Sequence, residues 1–521
     1  MSDASVSQTG QQPLASEKGP PVSQSQPFDL EAKNAQDGYI LNAEQLGIDA
    51  SNLKTAADGH TILIPQPSDS ADDPLNWSSR KKHVVLTVIS IMAFLPDFGS
   101  SLGAVTLIPQ ALQWNLPLNT VQHNLVGNLF CLGMGGLFTV ALSNYFGRLP
   151  VLFFFQIMAL ATGIWCGAAV SFESFEAARI VNGFFAIVAQ AGGLMWIKDL
   201  YFLHENPRKI NIWSGAIILS PYLGPFTAAF VIWKLSWRWC FWIYTILNAV
   251  GLVLIVLLVD ETYYNRAIAP EQQRPLEFRW LRLIGLDRRP RRTFVHALAR
   301  PAIAISKVPV MLVVVYYFLN FSWIIGVNAT ISTWLTGFYG FNAEQLGLFY
   351  FSGIVGAIIG EAIGHWLFDI VGSFYAKRHE GRIDPEARLV ISYLASILMA
   401  VGLLILGFAL QHTWHYMIVA VFCAMQVAGI MIATTAVNAY LLDSFPEGSG
   451  EVGALVVVGR TLGGFMATYI EIPWVTSAGA AKAFGAQTGI TVAAALIPVF
   501  LQVYGKKIRK RQGPMRFPGG S

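Results

Sequence analysis

The stretch RWCFWIYTILNAVGLVLIVLLV, residues 238–259, contains one charged side chain, at its first position. A helix needs about 20 mostly apolar residues to cross the hydrocarbon core of a bilayer. An open sheet edge in lipid would leave backbone groups without hydrogen-bond partners, so such segments must be helices. The chain therefore predicts an all-α membrane protein with twelve membrane segments, at about residues 84–111, 119–142, 150–170, 175–198, 211–232, 238–259, 309–337, 344–371, 387–410, 414–442, 451–474 and 485–505.

The composition of the whole chain agrees with this interpretation. Of 521 residues, 54% are hydrophobic and 13% are charged, whereas an ordinary soluble protein has about 25% charged residues. The four cysteines lie singly in apolar segments, so the sequence predicts neither a disulfide framework nor a zinc site. The first apolar run begins near Val84, which predicts that there is no N-terminal signal peptide.

Positive charge is concentrated in the connections on one side of the membrane. Lys and Arg are enriched in cytosolic loops of membrane proteins, so this pattern places both termini in the cytosol. Lys234 and Arg238, near an outer loop, are exceptions. The basic residues of the predicted cytosolic side are Arg148, Arg208, Lys209, Lys377, Arg378, Arg382, Arg388, Lys506, Lys507, Arg509, Lys510 and Arg511.

The segments divide into two sets of six. We expect a disordered cytosolic tail at residues 1–80, because its Ser-, Gln- and Pro-rich composition offers little apolar surface to bury. Residues 81–259 form the first six-helix bundle and 308–505 the second, joined by a basic cytosolic linker at 260–307; residues 506–521 form a basic tail. The linker's Arg288, Arg289, Arg291 and Arg292 favour a positive-inside anchor, with anionic-lipid binding as the alternative.

Asp97 is the sharpest candidate for chemistry. It lies near the middle of segment 1, directly after Pro96, and a charge at this depth is costly unless it has a function or a partner. Pro96 predicts a bend in this helix. Such a carboxylate could bind a cation or take up a proton, and the alternative is a packing hydrogen bond to a neighbouring helix.

Other ionisable residues also fall within segments. Glu361 and His365 are four residues apart on one face of segment 8 and are candidates for a proton relay, with gating or packing as the alternative. Arg179 and Arg460 each need a partner, for which Asp97 and Glu361 are candidates. Glu471 is expected near the outer rim, in contact with solvent.

Polar and aromatic side chains recur in segments 1, 4, 7 and 10 and predict a substrate cavity. The aromatic residues would suit a flat or cationic organic solute, or alternatively form an interfacial belt. Pro221 and Pro225 must bend segment 5, where Gly224 also lies. The cavity candidates are Asn182, Gln190, Tyr316, Asn320, Trp323, Asn328, Gln426 and Asn438.

Short motifs at matching places suggest a family. They are residues 73–78 (DPLNWS), 143–148 (SNYFGR), 179–183 (RIVNG), 215–225 (GAIILSPYLGP) and 237–239 (WRW). Together they resemble the major facilitator superfamily, and more narrowly its fungal twelve-helix, drug:proton-antiporter-like branch. The resemblance covers about residues 73–504 and implies the major facilitator fold.

The resemblance also implies roles for single residues. Arg179 corresponds to an arginine implicated in proton coupling, and Pro221, Gly224 and Pro225 fall in a motif associated with antiporters. That motif usually ends in paired glycines, where this chain has Ala228-Ala229. The gating motif comprises Asn144, Gly147 and Arg148, with Asn144 in place of the usual acid. The resulting gate is weakened, or is carried by Asp369 in the second half.

These expectations add up to a transporter. The resemblance implies a substrate cavity between the two halves and alternating access. The leading hypothesis is proton-coupled efflux of a drug-like compound or secondary metabolite. Uptake of a small organic cation or nutrient is the alternative, and a transport-dead sensor is a minor one. The expected partners are the lipid bilayer, a small organic substrate and protons, without cofactor, metal or nucleic acid. We expect no enzyme activity, a monomer, and the plasma membrane, with vacuolar or vesicular membrane as alternatives.

Overall fold

The computed structural model describes residues 39–40, 54–56, 62–266, 273, 278–285, 294–378 and 382–517. Within these ranges, twelve helical spans are long and apolar enough to cross a membrane, which confirms the predicted all-α fold. We number them 1 to 12: Ser79–Trp114, Leu118–Phe146, Arg148–Ala168, Phe172–Leu200, Asn206–Lys234, Arg238–Leu258, Val308–Tyr339, Ala343–Tyr375, Pro385–Gln411, Tyr416–Ser444, Pro446–Ala478 and Ala480–Gln512.

Several spans are interrupted. Span 1 consists of helices Ser79–Ser101 and Gly103–Trp114, which meet at Leu102. Pro96 lies inside the first of these helices, so the interruption comes after the proline. Span 4 divides into helices Phe172–Ala186, Val188–Ala191 and Gly193–Leu200, and span 12 into Ala480–Ala494 and Leu496–Gln512. Spans 9 and 11 begin with 3-10 turns at Pro385–Val390 and Pro446–Gly448.

The spans pack in the same pattern in both halves. In the first half span 1 contacts span 5, span 2 contacts span 4, and span 3 contacts span 6. The second half repeats these contacts as 7 with 11, 8 with 10, and 9 with 12. The halves meet mainly where span 2 packs on span 11 and span 5 on span 8. These two interfaces correspond to each other when one half is matched to the other. A space for a site remains between the halves.

Part of the predicted N-terminal tail is folded, which differs from the expectation for residues 1–80. Ile62, Ile64 and Leu75 are buried, and the backbone N–H of Leu203 donates to the carbonyl of Ile64 at 2.8 Å. Averaged composition hides these few apolar residues, which lie near the connection between spans 4 and 5. Tyr39–Ile40 pairs antiparallel with Arg382–Ile383.

The linker between the halves is partly helical. It contains helices Arg279–Leu283 and Phe294–Ile305, and the second of these packs on spans 2 and 11. The predicted arginine cluster at residues 288–292 lies outside the described residues. The described part of the linker therefore contacts both halves.

Candidate functional site

A cavity of about 480 Å³ lies between spans 1, 2, 5 and 7. Most of its wall is apolar, and its polar side chains are mainly Asp97, Ser101, Tyr222 and Asn328. Residues from both halves contribute, as expected for a site between two bundles. Its lining comprises Asp97, Ser100, Ser101, Ala104, Leu125, Leu129, Pro221, Tyr222, Phe321, Ile324, Ile325, Asn328 and Ala329.

Asp97 joins the two halves at the edge of this cavity. Its Oδ2 lies 2.5 Å from Nη1 of Arg460, and its Oδ1 lies 3.3 Å from Nη2. Gln190 donates a further hydrogen bond to Oδ2 at 2.8 Å. The Arg460 guanidinium also lies 5.2 Å from the ring centre of Phe321. Both charged side chains are buried, so spans 1 and 11 are held by an ion pair shielded from water.

Arg179 makes a different kind of contact. Its guanidinium donates to the carbonyl oxygens of Gly99 at 2.8 Å and Ser100 at 2.9 Å. These carbonyls lie just before Leu102, where span 1 is interrupted. A cationic side chain there supplies hydrogen-bond donors to carbonyl oxygens at the end of a helix. Arg179 therefore binds the backbone of span 1 directly behind Asp97. Of the two predicted partners, Asp97 pairs with Arg460 rather than with Arg179.

A second cavity, of about 280 Å³, adjoins the first. The two share Tyr222, Ile324 and Asn328 in their walls. The Asn328 amide donates to the carbonyl of Pro221 at 3.0 Å, and Tyr350 donates to the backbone carbonyl of Asn328 at 3.1 Å. The remaining lining residues are Val327, Ile331, Phe349, Tyr350, Ser352, Gly353, Cys423 and Gln426.

The predicted cavity residues divide into two groups. Asn328 and Gln426 line a cavity, and Gln190 binds Asp97. Asn182 instead bonds to Thr162 and Tyr244 within the first bundle. The predicted residues that are absent from the walls of the two cavities are Asn182, Gln190, Tyr316, Asn320, Trp323 and Asn438.

Two of these residues, Tyr316 and Asn320, have their hydrogen-bond partners in spans 7 and 9. Tyr316 contacts Ser396 at 3.4 Å, and the Asn320 amide donates to the Tyr316 carbonyl at 2.8 Å. Trp323 packs edge-on against Trp474, with ring centres 6.0 Å apart. A buried polar side chain satisfied by a neighbouring helix gives the same sequence signal as one that faces a cavity.

Glu361 lies at the interface between spans 5 and 8. A Cβ atom added to Gly215 would sit 2.6 Å from its Oε2, so the carboxylate fills the space above that glycine. Oε2 is buried and has no hydrogen-bond partner among the described residues. Asn211 donates to the Glu361 backbone carbonyl at 3.1 Å. His365, one turn further along the same helix, is half-buried.

Glu471 is fully buried, so its expected position in solvent at the outer rim is wrong. Its Oε1 accepts a hydrogen bond from Gln487 at 2.9 Å, and its Oε2 lies close to Gly326. Span 11 continues to Ala478, which places Glu471 inside the bundle, against spans 7 and 12. The sequence does not show which face of the helix it occupies.

The predicted bending residues of span 5 lie against span 1. A Cβ atom on Gly224 would come within 2.1 Å of Ser101 Oγ and 2.8 Å of the Phe98 carbonyl oxygen. Pro221 lines the first cavity, and Pro225 lies inside the helix Asn206–Lys234. The glycine thus allows spans 1 and 5 to approach closely beside Asp97.

Asn144 holds the two halves together on the side of the linker. Its amide donates to Oε1 of Glu451, at the start of span 11, at 2.8 Å. Arg300, from the linker helix, forms a salt bridge with the same oxygen. Lys198 donates to the carbonyl of Pro446 at 2.6 Å. We call Asn144, Glu451 and Arg300 the linker-side latch. Asn144 was a predicted gate residue, whereas Glu451, in the first turn of the helix Ser449–Ala478, and Arg300, in the linker helix, were not.

Arg148 and Gly147 organise the start of span 3. Arg148 pairs with Asp199 at 3.1 Å, and its backbone N–H donates to Glu261 at 3.1 Å. Gly147 has φ of +104°, a value that favours glycine. The second half repeats this arrangement: Arg388 pairs with Asp443 at 3.0 Å. The side chain of Asp369, the other predicted gate residue, lies outside what the structure describes.

The likeness to known proteins extends over most of the chain. The chain is 25% identical over 454 residues to efflux pump radE of Floropilus chiversii, covering 85% of this chain and 84% of that protein. It is 26% identical to MFS transporter cpaT of Aspergillus oryzae, covering 85% and 90%. It is 25% identical to MFS-type transporter hepF of the same species, covering 77% and 85%.

Solved structures share the fold. The proton:xylose symporter XylE matches with a TM-score of 0.61 at 16% identity, covering 82% of this chain and 96% of that one. The human organic anion transporter MFSD10 matches with a TM-score of 0.58 at 17% identity, covering 80% and 99%. The family model described as Major Facilitator Superfamily matches residues 86–468. This chain therefore belongs to the Major Facilitator Superfamily and is a membrane transporter rather than an enzyme.

Proposed function

We propose that this protein exports a small organic molecule by alternating access, driven by the proton gradient. The observation that carries the proposal is the buried ion pair between Asp97 and Arg460, which joins the two halves beside the cavity. A proton on Asp97 cancels the charge that attracts Arg460. Since removal of one partner of a buried pair is strongly destabilising, that proton changes the free energy of the contact between the halves.

The proposed cycle uses this contact as a switch. With Asp97 charged, the pair favours the arrangement in which spans 1 and 11 are joined. With Asp97 protonated, the halves lose that attraction and the arrangement that opens the other side gains population. A proton that moves down the gradient releases about 2.3 kcal/mol of free energy per 100 mV of membrane potential. This is sufficient to drive movement of a substrate against its own gradient.

The direction of transport is proposed from relatives. Efflux pump radE covers most of this chain's length, and its name describes export. Export of a drug-like compound or a secondary metabolite is therefore our leading hypothesis. The solved symporter shares the fold at 16% identity, a likeness that carries no argument for uptake.

The experiment that tests this proposal measures cell content of a panel of organic compounds. Cells express wild type, Asp97→Asn, or Glu173→Gln as a matched control, because Glu173 is an exposed acid at the start of span 4. Each strain is measured with and without a proton uncoupler. We expect wild type and Glu173→Gln to lower the content of some compounds, and Asp97→Asn and the uncoupler to abolish this effect.

Other outcomes would contradict the proposal. A rise in content with wild type would replace export by uptake. Export that survives both Asp97→Asn and the uncoupler would remove proton coupling through Asp97. No change for any compound would favour the sensor alternative.

We also propose that one chain forms the functional unit, in the plasma membrane. A single chain supplies both walls of the cavity and both members of the Asp97–Arg460 pair. Light scattering of the purified protein and imaging of a tagged chain would test these two statements.

A further inference from the structure

We propose that the two cavities form one elongated site that selects uncharged amphipathic molecules bearing a hydrogen-bond donor and disfavours organic cations. This inference rests on the proposed function, because it names the substrate class of the same site. It differs from the sequence-based expectation that aromatic residues would suit a cationic solute.

The shape of the site comes from its shared wall. The cavities of about 480 and 280 Å³ meet at Tyr222, Ile324 and Asn328. A long molecule that passes these three residues would fill both lobes. Its apolar body would lie against Leu125 and Leu129 in the first lobe.

The charge of the site follows from Asp97 and Arg460. With Asp97 ionised, the pair is neutral overall, because Arg460 binds both carboxylate oxygens. With Asp97 protonated, Arg460 leaves the site with one positive charge. Arg179 adds a second buried cation behind the carbonyls of Gly99 and Ser100. In neither state does the site carry net negative charge, so it cannot offset the cost of removing an organic cation from water.

Two further acids that lie inside spans, Glu361 and Glu471, face elsewhere. Glu361 lies against Gly215, and Glu471 lies against Gly326 and Gln487. Neither is among the residues that line the two cavities. They therefore do not supply the missing negative charge at the site.

Asn328 provides the polar anchor. It is 8% exposed and lines both cavities. Its amide N–H and its backbone carbonyl are already bonded, to Pro221 and Tyr350. Its side-chain oxygen Oδ1 is buried without a hydrogen-bond partner in the described structure. A substrate hydroxyl or N–H would satisfy this oxygen, which explains the preference for a donor.

The test is equilibrium binding to the purified full-length protein, without any gradient. The probes share one scaffold: 4-phenylphenol, which has a donor; 4-methoxybiphenyl, which has an acceptor alone; biphenyl-4-yl-trimethylammonium, a cation; and biphenyl-4-carboxylate, an anion. We expect 4-phenylphenol to bind roughly tenfold tighter than 4-methoxybiphenyl, since only the phenol satisfies Asn328. Both should bind tighter than the cation, whose charge the site does not neutralise. Both should also bind tighter than the anion, because the Nη atoms of Arg460 and Arg179 are already bonded to Asp97 and to backbone carbonyls.

Two variants sharpen the test. Asn328→Leu removes the acceptor and should make the phenol and the methoxy probe bind equally, whereas Asn119→Leu, at an exposed position, should leave the difference intact. Asn328→Asp keeps the acceptor and adds negative charge, so it should raise the affinity for the cation. Size-exclusion profiles verify that the variants fold.

The outcomes separate this inference from the proposed function. Equal or tighter binding of the cation or the anion by wild type would overturn the inference, as would no binding of any probe or an unchanged preference in Asn328→Leu. Proton-driven export of cations would retain the proposed function and overturn the inference. Selective phenol binding by a protein that transports nothing would support the inference and overturn the proposed function.

Discussion

At the scale of single residues, the central contact joins side chains that are 363 positions apart in the chain. Asp97 and Arg460 each carry a charge that would be costly alone in the interior. Gln190 fixes the carboxylate further, and the aromatic face of Phe321 lies beside the guanidinium. The pair is thus held from several sides, and each partner depends on the other.

Substitution of the pair should therefore be strongly non-additive. Asp97→Asn or Arg460→Gln alone leaves one buried charge unpaired and should lower the free energy of unfolding by about 3–5 kcal/mol. The double variant removes both charges and should lose less than the sum of the singles. Thermal unfolding of the purified variants measures this, and strictly additive losses would show that the two side chains do not interact.

At the residue scale, the sequence drew attention to polar groups inside spans. Asp97 stood out because an acid in a span needs a reason, and similar logic selected Gln190 and Asn328. It also selected Asn182, which bonds between helices of the first bundle. Tyr222, which lines both cavities, was not among the candidates, because its segment was noted for its prolines instead.

At the scale of elements, glycines set the distance between packed helices. A Cβ atom on Gly135 would lie 2.2 Å from the carbonyl oxygen of Phe184, where span 2 meets span 4. On Gly356 it would lie 2.3 Å from the carbonyl oxygen of Ala424, where span 8 meets span 10. The two halves thus use the same device at equivalent interfaces.

Added methyl groups should separate these helices. Gly135→Ala and Gly356→Ala should each destabilise the protein by about 1–3 kcal/mol, because backbone atoms must move. Gly489→Ala is the matched control, since nothing lies within 4 Å of its Cβ position. Thermal unfolding in detergent compares the three. Equal midpoints for Gly135→Ala and Gly489→Ala would refute the close approach.

The linker-side latch predicts an unusual result for the family's gating position. Asn144→Asp restores the acid usual there but places it against Glu451, whose oxygen lies 2.8 Å from the asparagine amide. Like charges at this distance repel. We expect Asn144→Asp to loosen the latch and Asn144→Asp with Glu451→Gln to restore it. Accessibility of the linker-side face to a thiol reagent, measured in a reporter variant, would reveal this; a tighter latch in the single variant would contradict it.

The folded part of the N-terminal tail is fastened by Asp73. Burial alone would raise the pKa of Asp73. The hydrogen bonds and the charge of Arg266, with backbone hydrogen bonds from Ser68 and Leu75, outweigh burial and hold the pKa below its ordinary value of 3.8. Because the folded pKa is lowered, this stabilisation is complete above pH 3.8 and is lost as the pH falls below it.

Asp73→Asn should therefore release the segment at neutral pH, at a cost of about 1–2 kcal/mol after allowance for the partly exposed Arg266. Hydrogen exchange at the Leu203 amide, which donates to Ile64, reports the release. Asp72→Asn is the control, because Asp72 is exposed one position away. Faster exchange in Asp73→Asn should converge with wild type in acid; an unchanged rate at neutral pH would show that Asp73 does not fasten the tail.

At the scale of the whole molecule, the sequence predicted the number of spans correctly because bilayer thickness fixes the length of an apolar helix. It could not predict which spans meet. The helices are largely apolar on every side, so the period of the hydrophobic pattern does not indicate which face packs against a neighbouring helix. The partly folded tail and linker were missed for a related reason, since a few apolar residues such as Leu75 disappear in an average over a polar segment.

For the whole molecule, we propose that protonation of Asp97 changes how the two halves are arranged. Spin labels at positions 80 and 377, on the linker side of the first and second halves, would measure their separation in a variant lacking the four native cysteines. Both native side chains, Arg80 and Lys377, are exposed.

The decisive measurement is the distribution of distances between these labels at neutral and at acidic pH, with and without Asp97→Asn. We predict that acid shifts the distribution when Asp97 is present and that Asp97→Asn shows the acid distribution at both pH values. If Asp97→Asn keeps the pH dependence of the protein with Asp97, another group controls the arrangement of the halves and the central claim is wrong.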